Sequence, residues 1–156
     1  MKASSDMFQK TKMNGFTLIE MMIVAVIMAI LTAIAVSSYL ENVRKSRRAE
    51  VRGVLLENAQ FLERYFTENN RYDQNLAGTA VVLPWLSSPK AANPSQYTIS
   101  FVAGSPTAAG YTIQAVPVAG KAMAGDKCGS YILNNIGQQT NANLVAPQTS
   151  ADCWAR

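Results

Sequence analysis

The first third of the chain carries one long apolar run between two polar stretches. Residues Phe16 to Val36 include a single charged residue, Glu20, and neither Gly nor Pro. An apolar segment of about 20 residues is long enough to cross the hydrocarbon core of a bilayer as a helix. The pattern therefore predicts a membrane-crossing helix. It also singles out Glu20, because a carboxylate inside such a segment is costly without a partner.

A helical periodicity continues beyond the apolar run, as far as about Asn69. Leu55, Ala59, Leu62 and Phe66 recur at the spacing of one helix face, and charged residues fill most of the other positions. We therefore expect one long helix that is apolar all round in its first half and on one stripe in its second half.

The remaining chain alternates turn signals with short candidate strands. Residues 71–95 lack periodicity and contain one glycine and three prolines, which predicts a loop. Apolar and polar residues alternate in Tyr97–Phe101 and Tyr111–Val116, as in strands with one buried face. Residues 130–133 predict a third strand and 138–140 a shorter fourth. The predicted fold class is α+β, with a long helix packed on an antiparallel sheet of three or four strands.

Composition argues against catalysis. The 156 residues contain no histidine and only two cysteines. The chain therefore has no Ser-His or Cys-His pair, no imidazole metal site and no four-thiolate zinc site, and it lacks a phosphate-binding loop. We predict that it is not an enzyme and that it has neither a catalytic nor a cofactor or metal site. The net charge of +4 is too small to make the whole protein a nucleic-acid binder.

The two cysteines are Cys128 and Cys153. In a domain exported across a membrane, a disulfide is the default state of such a pair. A pair of free thiols is the alternative.

Gly15 offers a partner for Glu20. Cleavage after Gly15 would create a new α-amine on Phe16, one helical turn from Glu20. The cationic terminus of one subunit could then neutralise Glu20 of the next. An ordinary signal anchor, with Glu20 reaching the interface from the helix end, is the alternative, but it leaves the residue order around Glu20 unexplained.

That residue order, together with a short lysine-bearing leader before it, resembles the signature of the type IV prepilins. The motif reads Gly15-Phe16-Thr17-Leu18-Ile19-Glu20. The resemblance implies a type IV pilin fold, leader cleavage between Gly15 and Phe16 by a prepilin peptidase, N-methylation of Phe16 and subunit docking through Glu20. It also implies a cleaved leader at 1–15, a helix at 16–38 for the membrane and the filament core, and a periplasmic or extracellular globular pilin domain at 39–156.

The later sequence resembles the minor pilins of the PilE and ComP group in residues 46–50, in residues 59–69 and in the Cys153-Trp154 ending. This resemblance implies a structural subunit of a type IV pilus, with a minor pilin for assembly or priming favoured over a major pilin. Such a subunit supports twitching, adhesion or DNA uptake. It would be a single-pass inner-membrane prepilin and later extracellular. Its partners would be other pilins, the peptidase, the assembly machinery and, before assembly, the membrane.

A DNA-binding pilin, a receptor for DNA uptake, is the alternative from a different functional class. The cations near the predicted C-terminal loop are Lys121, Lys127 and Arg156, with Trp154 and Tyr131 available for stacking on bases. Two aspartates lie among these residues, so the positive footprint is thin.

A basic cluster follows the apolar run. It consists of Arg44, Lys45, Arg47, Arg48 and Arg52. Three interpretations remain open: a solvated helix face with pairing to Glu41 or Glu50, contact with anionic lipid headgroups, and contact with acidic residues of adjacent subunits.

Overall fold

The computed structural model describes residues 16–90 and 94–155. The chain divides into two compact units, Met1–Tyr39 and Leu40–Arg156. Gly15 and Arg156 lie outside the described residues, so the cleavage point and one candidate DNA contact remain predictions.

Helix α1 runs from Leu18 to Asn69, which confirms the predicted long helix and its end. It ends because Asn70 adopts a left-handed backbone conformation, with φ of 58°. In that conformation the Asn70 N–H donates to the carbonyl oxygen of Phe66 at 2.7 Å, which satisfies one of the last carbonyls of the helix.

In the first unit, every described side chain is exposed, from Phe16 to Tyr39. By length and composition, α1 has an apolar window that could cross a membrane, with a mean hydropathy of 2.6. Two hydroxyls in this region donate back to carbonyls of the preceding turn: Thr32 to Met28 at 2.7 Å and Ser37 to Ala33 at 3.3 Å. These polar side chains are therefore satisfied within the helix itself.

The second unit contains a five-stranded antiparallel sheet in the order β1-β2-β3-β4-β5. The strands are β1 (Ser87–Ser88), β2 (Tyr97–Phe101), β3 (Thr112–Pro117), β4 (Ser130–Asn134) and β5 (Gln139–Ala142). Strands β2 to β5 match the predicted segments to within two residues. The two-residue β1 was not predicted, because it lies in the proline-rich segment assigned to a loop.

A short helix, α2 (Ser150–Trp154), closes the second unit and was also not predicted. Thr149 caps it: the Thr149 hydroxyl accepts from the Asp152 N–H at 3.2 Å, and the Asp152 carboxylate accepts from the Thr149 N–H at 3.0 Å. This reciprocal capping box satisfies two backbone donors at the start of α2.

The core lies between one stripe of α1 and the sheet. Leu55 and Leu62 are fully buried, and Ala59 and Phe66 pack against the same cluster, which confirms the predicted stripe. The stripe also contains a buried polar residue, Asn58. Its side chain donates to the carbonyl of Trp85 at 2.9 Å and accepts from the Trp85 N–H at 3.2 Å, so Asn58 fixes the connecting segment on the helix.

Candidate functional site

The last three residues of the N-terminal motif, Leu18 to Glu20, lie in the first turn of α1. The Thr17 hydroxyl oxygen accepts a hydrogen bond from the backbone N–H of Glu20 at 3.3 Å, as an N-cap side chain does. Glu20 is an exposed acidic residue of the first turn, where the helix dipole favours negative charge. Within residues 16–90 and 94–155, the Glu20 carboxylate takes part in no ion pair.

The basic cluster is divided between different environments, and Arg48 is the buried member. The Arg48 Nε lies 3.1 and 3.0 Å from the two carboxylate oxygens of Asp126, and Nη1 donates to Glu41 at 3.2 Å. The side chain of Asp126 is 0% exposed. The hydrogen bond to Asp126 raises the pKa of Arg48 above its ordinary value. The interpretation of the cluster as a solvated face is therefore wrong for Arg48, although the pairing with Glu41 that it included is confirmed.

Arg52 and Arg47 also have protein partners. Arg52 Nη1 donates to the carbonyl oxygen of Cys153 at 3.2 Å and to that of Ala155. Arg52 thereby satisfies the hydrogen-bonding capacity of two carbonyl groups at the end of α2. Arg47 pairs with Glu50 at 3.0 Å on the surface, as one interpretation of the cluster expected.

Two cations of the cluster remain, Arg44 and Lys45. Both are exposed, and neither has an ion-pair partner in the described part of the chain. The nearby Glu41 is already engaged by Arg48 and by Lys127, whose Nζ lies 3.6 Å away. Partial burial acts to raise the pKa of Glu41, but Arg48 and Lys127 outweigh it and hold that pKa below its ordinary value.

The C-terminal segment is closed by a Cys128–Cys153 disulfide with an S–S distance of 2.05 Å, which confirms the predicted disulfide-closed end. The segment that it encloses includes strands β4 and β5, so much of it belongs to the sheet. Asn141 Nδ2 donates to the carbonyl of Cys128 at 2.9 Å, which ties β5 to the disulfide.

The candidate DNA contacts differ in accessibility. Lys121 and Lys127 are exposed. Trp154 is partly buried, its indole N–H donates to the carbonyl of Thr140 at 3.1 Å, and its ring packs edge-on against Tyr131 at 5.3 Å. Tyr131 is 0% exposed, so the expectation that it is available for base stacking is wrong.

A groove of ≈ 370 Å³ lies beside the disulfide and is lined by both signs of charge, including Glu41, Lys45, Arg52, Lys127 and Asp152. In the parts of the chain that the structure describes, no group of three His, Cys, Asp or Glu side chains is placed to hold a metal ion.

The long N-terminal helix, the antiparallel sheet and the disulfide-closed end define a type IV pilin. Two family comparisons agree with this class. Residues 10–36 match the prokaryotic N-terminal methylation motif. Residues 37–132 match the family described as type IV minor pilin ComP, DNA uptake sequence receptor. Since this match covers more than half of the chain, the protein belongs to that family of type IV minor pilins.

Curated relatives come from both pili and secretion systems. The chain is 42% identical over 66 residues to the type II secretion system core protein G of Aeromonas hydrophila, covering 41% of this chain and 45% of the relative. It is 35% identical over 92 residues to the type IV wide pilus major component PilA4 of Thermus thermophilus, covering 59% of this chain and 66% of the relative. The chain thus matches about half to two thirds of their lengths.

Two solved structures resemble the chain at 22% identity. The Neisseria meningitidis non-core minor pilin PilV has a TM-score of 0.46, with 69% of this chain and 97% of that chain covered. A type IV pilin from Shewanella oneidensis has a TM-score of 0.41, with 72% and 98% covered.

Proposed function

We propose that this protein is a structural subunit of a type IV pilus, built in through its apolar N-terminal helix. The exposure of that helix is the observation that carries the proposal. Phe16, Leu18 and Ile19 are 75%, 78% and 65% exposed, and the following side chains are exposed as far as Leu40. An apolar surface of this extent needs lipid or other helices around it. We assign the first environment to the inner membrane and the second to the core of an extracellular filament.

Glu20 supplies the selectivity of assembly. A prepilin peptidase cuts after Gly15, and N-methylation of Phe16 keeps the new amine cationic. The amine of one chain then pairs with Glu20 of its neighbour. The Glu20 carboxylate is exposed and has no ion-pair partner within the described residues, so it is available to a neighbouring chain.

The charge pair matters because the apolar surface gives little direction to assembly. Moving α1 from lipid into a helical bundle exchanges one apolar environment for another, so the net hydrophobic driving force is small. A buried carboxylate without a partner is costly, and that cost disfavours every axial register except the one that supplies an amine.

A matched pair of variants tests this role. Glu20→Gln keeps the shape of the side chain and removes its charge, and Glu68→Gln does the same at an exposed position near the end of α1. We expect Glu20→Gln to reach the membrane normally but to be lost from sheared filaments, while Glu68→Gln is recovered at the wild-type level. Normal recovery of Glu20→Gln in filaments would overturn the pairing argument.

Leader cleavage is tested separately. Gly15→Val places a branched side chain at the cut. We expect the intact mass to retain residues 1–15, whereas an unchanged mature mass would refute cleavage after Gly15.

DNA reception is the second candidate function, and the description of the matched family favours it. Lys121, Lys127, Trp154 and Arg156 remain the candidate contacts. We expect Lys121→Gln/Lys127→Gln to weaken duplex binding in fluorescence anisotropy and to reduce the salt dependence, with Arg64→Gln as control. If the double variant binds with unchanged affinity and salt slope, these lysines are not the DNA contacts.

A further inference from the structure

Arg44 and Lys45 are the members of the basic cluster that have no ion-pair partner among the described residues. Arg48 pairs with Asp126, Arg52 binds carbonyls of the C-terminal segment, and Arg47 pairs with Glu50. Arg44 and Lys45 are exposed and lack an ion pair in the described ranges. We propose that these two side chains bind the phosphate headgroups of anionic phospholipids while the chain is anchored in the membrane. This inference rests on the proposed membrane stage.

Their place in the sequence suits this partner. The exposed segment from Phe16 to Leu40, which extends four residues beyond the apolar run, measures about 37 Å as a helix, at about 1.5 Å per residue. The hydrocarbon core is about 30 Å thick, so the end of this segment lies beyond it. Tyr39, which is 68% exposed, is an aromatic residue of the kind enriched at membrane interfaces. Arg44 and Lys45 follow within about one and a half helical turns, at the depth of the headgroups.

The surrounding charges favour an anionic ligand. Glu41 would repel phosphate, but its carboxylate is paired with Arg48 and lies 3.6 Å from Lys127 Nζ. The charges of Arg44 and Lys45 are therefore not cancelled locally. Their long side chains can reach phosphates at slightly different depths. Each cation near an anionic surface contributes about a fivefold preference.

The test uses the full-length protein in lipid nanodiscs that contain phosphatidylglycerol and phosphatidylcholine. Electron spin resonance with a spin-labelled form of each lipid reports which lipid contacts the protein. With two such cations we expect the wild type to prefer phosphatidylglycerol by more than about fivefold, and Arg44→Gln/Lys45→Gln to lower that preference at least fivefold. Arg64→Gln/Lys121→Gln removes the same charge from exposed positions farther along the chain and should leave the preference unchanged. Raising the salt to about 0.5 M should weaken the wild-type preference.

The outcomes are distinguishable. An inserted wild-type chain that shows equal association with both lipids overturns the headgroup site and leaves the proposed pilus function intact. A double variant that keeps its lipid preference but is lost from filaments also overturns it, and would assign these cations to acidic residues of neighbouring subunits. A chain that does not enter nanodiscs overturns the membrane stage and the headgroup site together.

Discussion

Removing Arg48 should destabilise the second unit far more than removing an ordinary surface arginine. Arg48→Met leaves Asp126, whose side chain is 0% exposed, as a buried charge without its main partner. Breaking a buried pair from one side costs about 3–5 kcal/mol. Replacing both partners by apolar residues removes the uncompensated charge. However, Asp126 Oδ2 also accepts from the Cys128 N–H at 3.2 Å, so we expect Arg48→Met/Asp126→Leu to retain a net cost of about 1 kcal/mol.

The assay is urea unfolding of the full-length protein in mild detergent, followed by the fluorescence of Trp85 and Trp154. The free energies of unfolding of wild type, both single variants and the double variant form a double-mutant cycle. We expect a coupling of at least about 2 kcal/mol between Arg48 and Asp126. Arg47→Met breaks the exposed pair with Glu50 and should cost about 0.5 kcal/mol or less. Additive effects at positions 48 and 126 would refute the buried-pair argument.

Three further predictions concern the closed C-terminal segment and the core. Gly129→Ala should lower the free energy of unfolding in urea by several kcal/mol, because the new Cβ would lie 2.6 Å from the carbonyl oxygen of Asn143 at a φ of 56°. Gly120→Ala is the control: Gly120 has a φ of 73° and open space around it, so its replacement should cost only about 1–2 kcal/mol. Equal costs for the two variants would contradict this prediction. Replacing Cys128 and Cys153 by serine should lower the free energy of unfolding by about 3 kcal/mol, and an unchanged urea midpoint would count against it. Burial raises the pKa of four tyrosines above 10, to about 12 for two of them. The contribution of these neutral tyrosines to folding stability is complete below pH 10 and is lost as the pH rises towards 12. Absorbance at alkaline pH should therefore show late tyrosine ionisation coupled to unfolding. The four are Tyr72, Tyr97, Tyr111 and Tyr131, with the values of about 12 at Tyr72 and Tyr131.

Local periodicity carried most of the fold prediction. The spacing of Leu55 and Leu62 identified the buried face of α1 because a helix repeats its faces within a few residues. Alternation of apolar and polar residues in Tyr97–Phe101 identified β2, because successive side chains of a strand point to opposite faces of the sheet. Strand β1 has only two residues, too few to show any alternation, and it exists because it pairs with Tyr97 and Thr98.

The environment of the basic cluster could not be predicted, since it depends on residues distant in the sequence. Arg48 and Asp126 are 78 positions apart, and no local pattern distinguishes Arg48 from the exposed Arg44. Helix α2 did carry a local signal, the Thr149 and Asp152 capping box, but its five residues are too few to show helical periodicity. The Glu20 motif, by contrast, is a continuous stretch and is readable directly from the sequence.

The most direct test of the pilus assignment is quantitative mass spectrometry of filaments sheared from the cell surface. We predict that the protein is present, begins at N-methylated Phe16 and is much less abundant than the main filament subunit, as a minor pilin should be. Absence of the protein from the filaments, or a chain that still carries residues 1–15, would contradict the pilus assignment.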